Sequence, residues 1–185
     1  TPKHASLAGI PGMMDSVVTV NGVSKGFAMT GWRLGYIGAP KWIAAACNKI
    51  QGQITSAPCS IAQAAAAEAV DADPSIADEM LNAFLRRRDQ MLNDLEGIPG
   101  IKLNKPMGAF YLFPDISGLF GKSFNGKTLN NSDDVAMFLI EEAHVATVSG
   151  SAFGTPECIR LSYAAADEIL AEAARRIREA VSKLA

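Results

Sequence analysis

A glycine-punctuated segment at residues 20–38 constrains the fold of this chain more strongly than any other stretch. It reads VNGVSKGFAMTGWRLGYIG, and its lysine, Lys25, follows a β-branched run and the turn dipeptide Asn21-Gly22. Glycine adopts positive φ and lets the backbone approach a ligand closely. A lysine in such a turn can be desolvated and act as a nucleophilic amine. The residues alone also allow the alternative that Lys25 is an ordinary exposed lysine.

Two arginines are candidates for binding an anion. Arg33 follows Lys25 by eight residues, and the planar fork of a guanidinium suits a phosphate or a carboxylate. Arg160 lies in the middle of an otherwise apolar strand, where alternation puts it on the same face as Cys158 and Ser162. A charge at such a position is costly unless it is paired. Arg160 is therefore either half of a structural ion pair or a residue that binds an anionic ligand.

The rest of the chain alternates helices with short strands, which is typical of an α/β fold. Asp73-Pro74 offers a helix N-cap followed by proline at the first helical position, and Ser132 is predicted to cap a later helix. The predicted domain break at 71–74 separates residues 1–72 from a compact α/β unit at 73–185. Strands are predicted at 16–21, 34–38, 101–103, 110–113, 145–148 and 158–163, and helices at 40–51, 60–70, between Pro74 and Gly97, at 133–144 and from 167 onward.

Composition excludes several classes of function. The chain has 17 Lys and Arg residues against 19 Asp and Glu, a formal net charge of −2, so no nucleic-acid surface is expected. The basic run at residues 86–88 is predicted to be a solvated helix face. The three cysteines form no CxxC pair and no metal site is predicted, so a reducing, cytoplasmic compartment is expected. No apolar run approaches the roughly 18 residues of a membrane helix.

The lysine segment resembles the lysine motif of the class I/II aminotransferases, which are pyridoxal-phosphate enzymes of fold type I. The family pattern is Ser-Lys, an aromatic residue, a small residue and then Gly-x-Arg-x-Gly-Tyr. It is matched by Ser24, Lys25, Phe27, Ala28, Gly31, Arg33, Gly35 and Tyr36. The family order continues along nearly the whole chain in TSAPCSIAQ (55–63), GAFYLFPD (108–115), SGSAFG (149–154) and IRLSYA (159–164).

This resemblance implies the C-terminal part of the fold type I architecture. Residues 1–72 would be the end of the large cofactor-binding domain, and residues 73–185 the small C-terminal α/β domain. Lys25 would form the Schiff base with pyridoxal phosphate and move a proton between the substrate α-carbon and the cofactor. Arg33 and Ser24 would contact the cofactor phosphate, although Ser24 also fits a plain turn residue. Arg160 would bind the substrate α-carboxylate with two parallel hydrogen bonds.

The resemblance further implies a homodimer, because residues 53–60 resemble the segment that reaches the neighbouring subunit's site in the family. The family's remaining cofactor-binding groups precede the lysine motif, and residues 1–24 contain no Asp-x-x-Tyr pattern. We therefore expect this chain to be a fragment of a longer protein and to be inactive, or nearly so, by itself.

The expected activity is transfer of an amino group between an amino acid, aspartate or a similar one, and a 2-oxo acid. Two alternatives share the resemblance. One is another fold type I pyridoxal-phosphate enzyme, a lyase or a synthase. The other is a non-catalytic aminotransferase-like module. The sequence does not identify the substrate side chain, because function depends on the site rather than on the fold.

Overall fold

The computed structural model describes residues 4–185, which divide into two compact units. The first unit ends at Glu79 and the second begins at Met80. Both units combine helices with short antiparallel strand pairs. The predicted boundary after residue 72 and the assignment of the units to a large and a small domain stay predictions. Among the described residues, no helix combines the length and the apolar character that crossing a membrane requires.

The first unit is organised around an antiparallel strand pair. Strand β1 (Thr19–Gly22) pairs with β2 (Gly35–Gly38), and Gly22 lies opposite Gly35 at the end where the intervening loop begins and ends. Asp73 accepts a hydrogen bond from the backbone N–H of Ser75 at 2.9 Å, so the predicted N-cap is confirmed. The helices of this unit are α1 (Val23–Gly26), α2 (Lys41–Ile54) and α3 (Ser60–Asp71), with 3-10 turns at Leu7–Gly9, Met14–Ser16, Thr30–Trp32 and Pro74–Ala77.

The second unit contains a three-stranded antiparallel sheet in the order β3-β7-β6. Tyr111 pairs with Ser162, and Val148 pairs with Arg160. The predicted strand at 101–103 is wrong, because only an isolated bridge between Lys102 and Asp115 forms there. The strands are β3 (Tyr111–Leu112), β4 (Ser123–Phe124), β5 (Lys127–Thr128), β6 (Val148–Ser149) and β7 (Ile159–Ser162). The helices are α4 (Asp78–Leu95), whose first two residues belong to the first unit, α5 (Ser132–Phe138) and α6 (Asp167–Ser182), with a short π-helix at Leu139–Ala143 and 3-10 turns at Ser117–Leu119 and Gly150–Phe153.

The core of the second unit lies on one face of this sheet. Leu112, Ile159 and Leu161 are buried there together with residues of α4 and α6, including Met91 and Ile177. Successive side chains of a strand point to opposite faces. Arg160 consequently lies on the face of the sheet away from the core. Its neighbours in β7, Ile159 and Leu161, are buried and hold the strand in place.

An ion-pair cluster joins α4 to α6 and corrects the interpretation of the basic run at residues 86–88. Arg86 and Arg87 both bind the carboxylate of Asp167, with N···O distances of 2.8 and 2.7 Å. Arg88 is only 9 % exposed and donates to the carboxylate of Asp89 and the carbonyl of Pro106. Consecutive helical residues point in different directions, so these three arginines serve different neighbours instead of forming one solvated face.

The Asp167 cluster predicts a pH dependence of stability. Hydrogen bonds from Arg87 and Arg86 lower the pKa of Asp167. A carboxyl whose pKa is lowered by folding stabilises the folded state above its unfolded pKa, and this contribution is lost as the pH falls through the folded value. For Asp167→Asn we expect a loss of stability that is greatest at neutral pH and shrinks in strongly acidic solution. Denaturant unfolding of both proteins as a function of pH measures it, and a pH-independent difference would contradict it.

Candidate functional site

Lys25 lies in a tight turn directly after β1. The backbone N–H groups of Phe27 and Met29 both point to the carbonyl of Val23, at 3.3 and 3.4 Å, and the N–H of Ala28 donates to the carbonyl of Lys25 at 3.2 Å. Val23 is completely buried and anchors the turn, whereas Lys25 lies at the surface of the unit. The predicted arrangement of a strand followed by a lysine-bearing turn is therefore confirmed.

The pairing of β1 with β2 brings Lys25 and Arg33 to the same end of the strand pair. Lys25 follows Gly22, Arg33 precedes Gly35, and these two glycines are direct partners. A Cβ on Gly22 would lie 3.3 Å from the carbonyl oxygen of Leu34, and one on Gly35 would lie 3.2 Å from that of Asn21. The two glycines thus permit a close approach of the strands. This pairing places Lys25 and Arg33, which are eight residues apart in the sequence, at the same end of the strand pair.

Arg33 has a left-handed backbone conformation, with φ of 51°, which is uncommon for a residue with a side chain. One of its terminal guanidinium nitrogens donates to the carbonyl of Thr30 at 2.9 Å. This bond turns the guanidinium back over the loop between the two strands. The left-handed residue and its bond therefore hold the cation near the turn that carries Lys25.

The side chains at this end of the strand pair suit a phosphate ester that bears an aldehyde. Lys25 offers a primary amine, Arg33 a guanidinium and Ser24 a half-buried hydroxyl. A Cβ added at Gly26 or Gly31 would meet no atom within 4 Å, so the space beside this backbone is open. The donor set fits pyridoxal phosphate at its aldehyde and at its phosphate. Across residues 4–185 there is no cluster of three or more His, Cys, Asp or Glu side chains that could hold a metal ion.

Arg160 belongs to the second unit and has an aromatic environment. Its guanidinium carbon lies 4.5 Å from the centroid of the Tyr111 ring and 4.7 Å from that of Phe153. No carboxylate of the described residues lies within ion-pair distance of Arg160. The described residues therefore provide no partner for the structural ion pair that the sequence left open. The guanidinium N–H groups remain available to an anionic ligand.

The loop at residues 149–154 brings Phe153 to Arg160. Its N–H at Gly150 donates to the carbonyl of Cys158 at 2.8 Å, which folds the loop back onto the start of β7. The predicted capping of α5 by Ser132 is wrong, because Asn131 caps this helix and its side chain accepts a hydrogen bond from the N–H of Asp134. The Ser132 hydroxyl is instead buried and lies 2.8 Å from the hydroxyl of Ser149. It therefore secures the loop and not the helix.

Gly150 is the point at which this loop tolerates no side chain. A Cβ there would lie 2.1 Å from the carbonyl oxygen of Thr155 and 2.3 Å from that of Cys158, and both are backbone atoms. For Gly150→Ala we expect destabilisation by about 1–3 kcal/mol or more, the usual cost of overpacking, and displacement of Phe153. Denaturant unfolding measures the loss. An unchanged midpoint would show that the loop relaxes freely. Gly154→Ala is the matched control. No atom crowds a Cβ at Gly154, so a loss of stability in this variant reports the strain of the positive φ and not steric overlap.

Sequence reasoning missed two residues at this site, Tyr111 and Phe153. Both lie inside the motifs GAFYLFPD and SGSAFG, but neither motif shows which ring faces Arg160. The register between β3 and β7 supplies that information for Tyr111. Ser24, Lys25 and Arg33 lie together in the first unit, and Arg160 lies in the second unit.

Comparison with known proteins identifies the family. The family model for aminotransferase class I and II matches residues 2–177. A bifunctional aspartate aminotransferase and glutamate/aspartate-prephenate aminotransferase of Petunia hybrida is 47% identical over 182 residues, which cover 96% of this chain and 38% of that protein. An aspartate/prephenate aminotransferase of Cereibacter sphaeroides is 46% identical over 169 residues, covering 91% of this chain and 42% of the relative.

Solved structures agree with these sequence matches. The crystal structure of the aspartate aminotransferase from Rhizobium meliloti superposes with a TM-score of 0.90 at 43% identity, covering 95% of this chain and 44% of that one. The chain therefore spans less than half the length of these relatives. The predicted fold class, the C-terminal part of the fold type I architecture, is confirmed. By its sequence motifs, its fold and its relatives, the chain belongs to the class I and II aminotransferase family.

Proposed function

We propose that the protein containing this chain is a pyridoxal-phosphate-dependent aminotransferase that moves an amino group between an amino acid, aspartate or a similar one, and a 2-oxo acid. The observation that carries the proposal is the gathering of Lys25, Arg33 and Ser24 at one end of the β1–β2 pair. The relatives named aspartate aminotransferase and aspartate/prephenate aminotransferase support an acidic amino acid as substrate.

In this proposal each of the candidate residues has a separate role in the reaction. Bound pyridoxal phosphate supplies an aldehyde for bonding to amines and a ring that withdraws electrons from the substrate. With the cofactor bound, the Nζ amine of Lys25 would be the group that holds its aldehyde. Lys25 Nζ then takes the proton from the substrate α-carbon, as a positioned general base does. Arg33 and Ser24 would donate hydrogen bonds to the phosphate and hold the cofactor beside Lys25.

Arg160 orients the substrate in this proposal. A guanidinium binds a carboxylate with two parallel N–H···O bonds, which fixes the plane of the carboxylate as well as its position. Held in this way by its α-carboxylate, an amino acid presents its α-proton in one direction only. Good orientation is itself a large source of rate enhancement. Arg160 thereby selects for amino acids over amines that lack the carboxylate.

The proposal includes a homodimer in the cytoplasm. Residues 53–60, which resemble the family's inter-subunit segment, run from the end of α2 to the first residue of α3. Cys47, Cys59 and Cys158 are free thiols, which supports a reducing compartment. Light scattering of the full-length protein measures the oligomeric state, and we expect twice the monomer mass.

The first test is the half-reaction of the full-length protein loaded with pyridoxal phosphate. Addition of aspartate without any 2-oxo acid should consume the cofactor aldehyde and release one 2-oxo acid per site. Addition of a 2-oxo acid should then restore the aldehyde. A lyase or decarboxylase would instead turn over repeatedly on the amino acid alone, and a non-catalytic module would release no 2-oxo acid. Either result would contradict the proposal.

A further inference from the structure

The side chain of Arg160 must be held in one orientation if its guanidinium is to bind a carboxylate with two parallel hydrogen bonds. A long arginine side chain has many rotamers, and fixing it costs conformational entropy. Within residues 4–185 no carboxylate holds Arg160 by an ion pair. Its guanidinium contacts the rings of Tyr111 and Phe153, whose centroids lie 4.5 and 4.7 Å from the guanidinium carbon. These distances are within the range of a cation–π interaction.

Each of the two rings is supported by a further aromatic ring. The Tyr111 ring lies 4.4 Å from the Phe110 ring between centroids, and Phe110 in turn stacks on Phe84 at 5.7 Å. The Phe153 ring meets the ring of Phe113 edge to face at 5.9 Å. Arg160 therefore lies within a continuous row of aromatic side chains. Because each ring has a neighbour, the two rings that contact Arg160 have limited freedom to swing away.

The backbone also fixes both rings. Tyr111 is held in the sheet opposite Ser162, and the buried Tyr163 donates its hydroxyl to the carbonyl of Ala109 at 3.0 Å, just before β3. Phe153 ends the 3-10 turn of a loop that the hydroxyl of Ser132 and the backbone at Gly150 secure. Phe153 is nevertheless 46% exposed. Because Phe153 is partly exposed, packing into the hydrophobic core does not by itself explain why its ring lies beside Arg160.

We propose that Tyr111 and Phe153 are positioning residues, whose rings hold the guanidinium of Arg160 ready to bind the α-carboxylate of the substrate. This inference rests on the proposed function. A ring contacts the flat face of a guanidinium, whereas a carboxylate binds the N–H groups in its plane, so both contacts are compatible. A guanidinium already oriented loses less entropy when the substrate arrives, which strengthens binding without any direct contact between substrate and ring.

The inference is tested in the full-length enzyme with Tyr111→Leu and Phe153→Leu, which remove a ring but keep an apolar side chain. We expect each change to raise the half-saturating concentration of the amino-acid substrate roughly 3- to 10-fold, consistent with the loss of one cation–π contact. The matched control is Tyr111→Phe, which keeps the ring and should behave like the wild type. Cofactor content should not change in any of these variants.

A second substrate distinguishes a loss of Arg160 positioning from a general disruption of the active site. A simple alkyl amine such as propylamine has no carboxylate for Arg160 to bind, so the rate of its half-reaction should be the same in the wild type and in both leucine variants. Equal weakening of amine and amino acid would overturn the inference, as would unchanged amino-acid binding or a Tyr111→Phe variant as weak as Tyr111→Leu. A wild-type protein that reacts with no amino acid would instead overturn the proposed function, and the inference with it.

Discussion

Replacement of Lys25 by alanine is expected to reduce transamination by the full-length enzyme by at least ~100-fold, the lower end of the contribution of a general base. Lys25 is the amine that the β1–β2 turn presents beside Arg33. Without it, no group of this motif can take the α-proton. The rate of the amino-acid half-reaction, measured at saturating substrate and cofactor, gives the effect directly.

Two further variants make this prediction specific. Lys25→Arg keeps the positive charge, but a guanidinium stays protonated in proteins, so this variant should be as inactive as Lys25→Ala. Lys49→Ala removes an exposed lysine from α2 and should retain wild-type activity. If Lys25→Ala kept more than a few per cent of the wild-type rate, Lys25 would not be the proton-transfer residue and the assignment would be wrong.

The second large effect is expected for Arg160→Ala. Each charge-assisted hydrogen bond is worth about 1.5–3 kcal/mol, so losing the grip on the α-carboxylate should raise the half-saturating amino-acid concentration by roughly 10- to 100-fold or more. Binding of pyridoxal phosphate should remain nearly unchanged, because Arg33 and Ser24 are the proposed phosphate ligands. Titration with the amino acid and separately with the cofactor measures the two effects.

Arg160→Lys distinguishes shape from charge at this position. Lysine keeps the charge but presents a point charge on a flexible stem instead of a planar fork. We therefore expect Arg160→Lys to bind the amino acid much more weakly than the wild type. Recovery of wild-type binding by lysine would show that charge alone suffices. An equal loss of cofactor binding in Arg160→Ala would contradict the division of roles between Arg33 and Arg160.

Local features of the sequence predicted much of the fold correctly. Asp73 before Pro74 predicts an N-cap, and the Asp73 carboxylate does accept the N–H of Ser75. Alternation along residues 158–163 predicts the face of Arg160, and the buried partners Ile159 and Leu161 confirm it. These predictions succeed because each depends on neighbours within a few residues. The residues themselves carry the relevant physical preference.

Predictions failed where distant segments decide the outcome. Arg88 is buried against Pro106, eighteen residues away, and no helical pattern shows that. Ser132 binds the hydroxyl of Ser149 because the loop before β7 returns to α5. The contact of the Tyr111 ring with Arg160 could not be predicted for the same reason. Tyr111 meets Arg160 through a strand pairing that links residues about 50 positions apart, and such a register depends on tertiary packing.

The central claim, that Lys25 is the cofactor-bearing residue, is tested most directly by covalent trapping. The full-length protein loaded with pyridoxal phosphate is reduced with borohydride and digested, and the peptides are mapped by mass spectrometry. We predict that the cofactor mass is found on Lys25, in a peptide from residues 20–38. Lys25→Ala, treated in the same way, should yield no labelled peptide from that segment. Cofactor trapped on another lysine of the wild type, with Lys25 unmodified, would contradict the account.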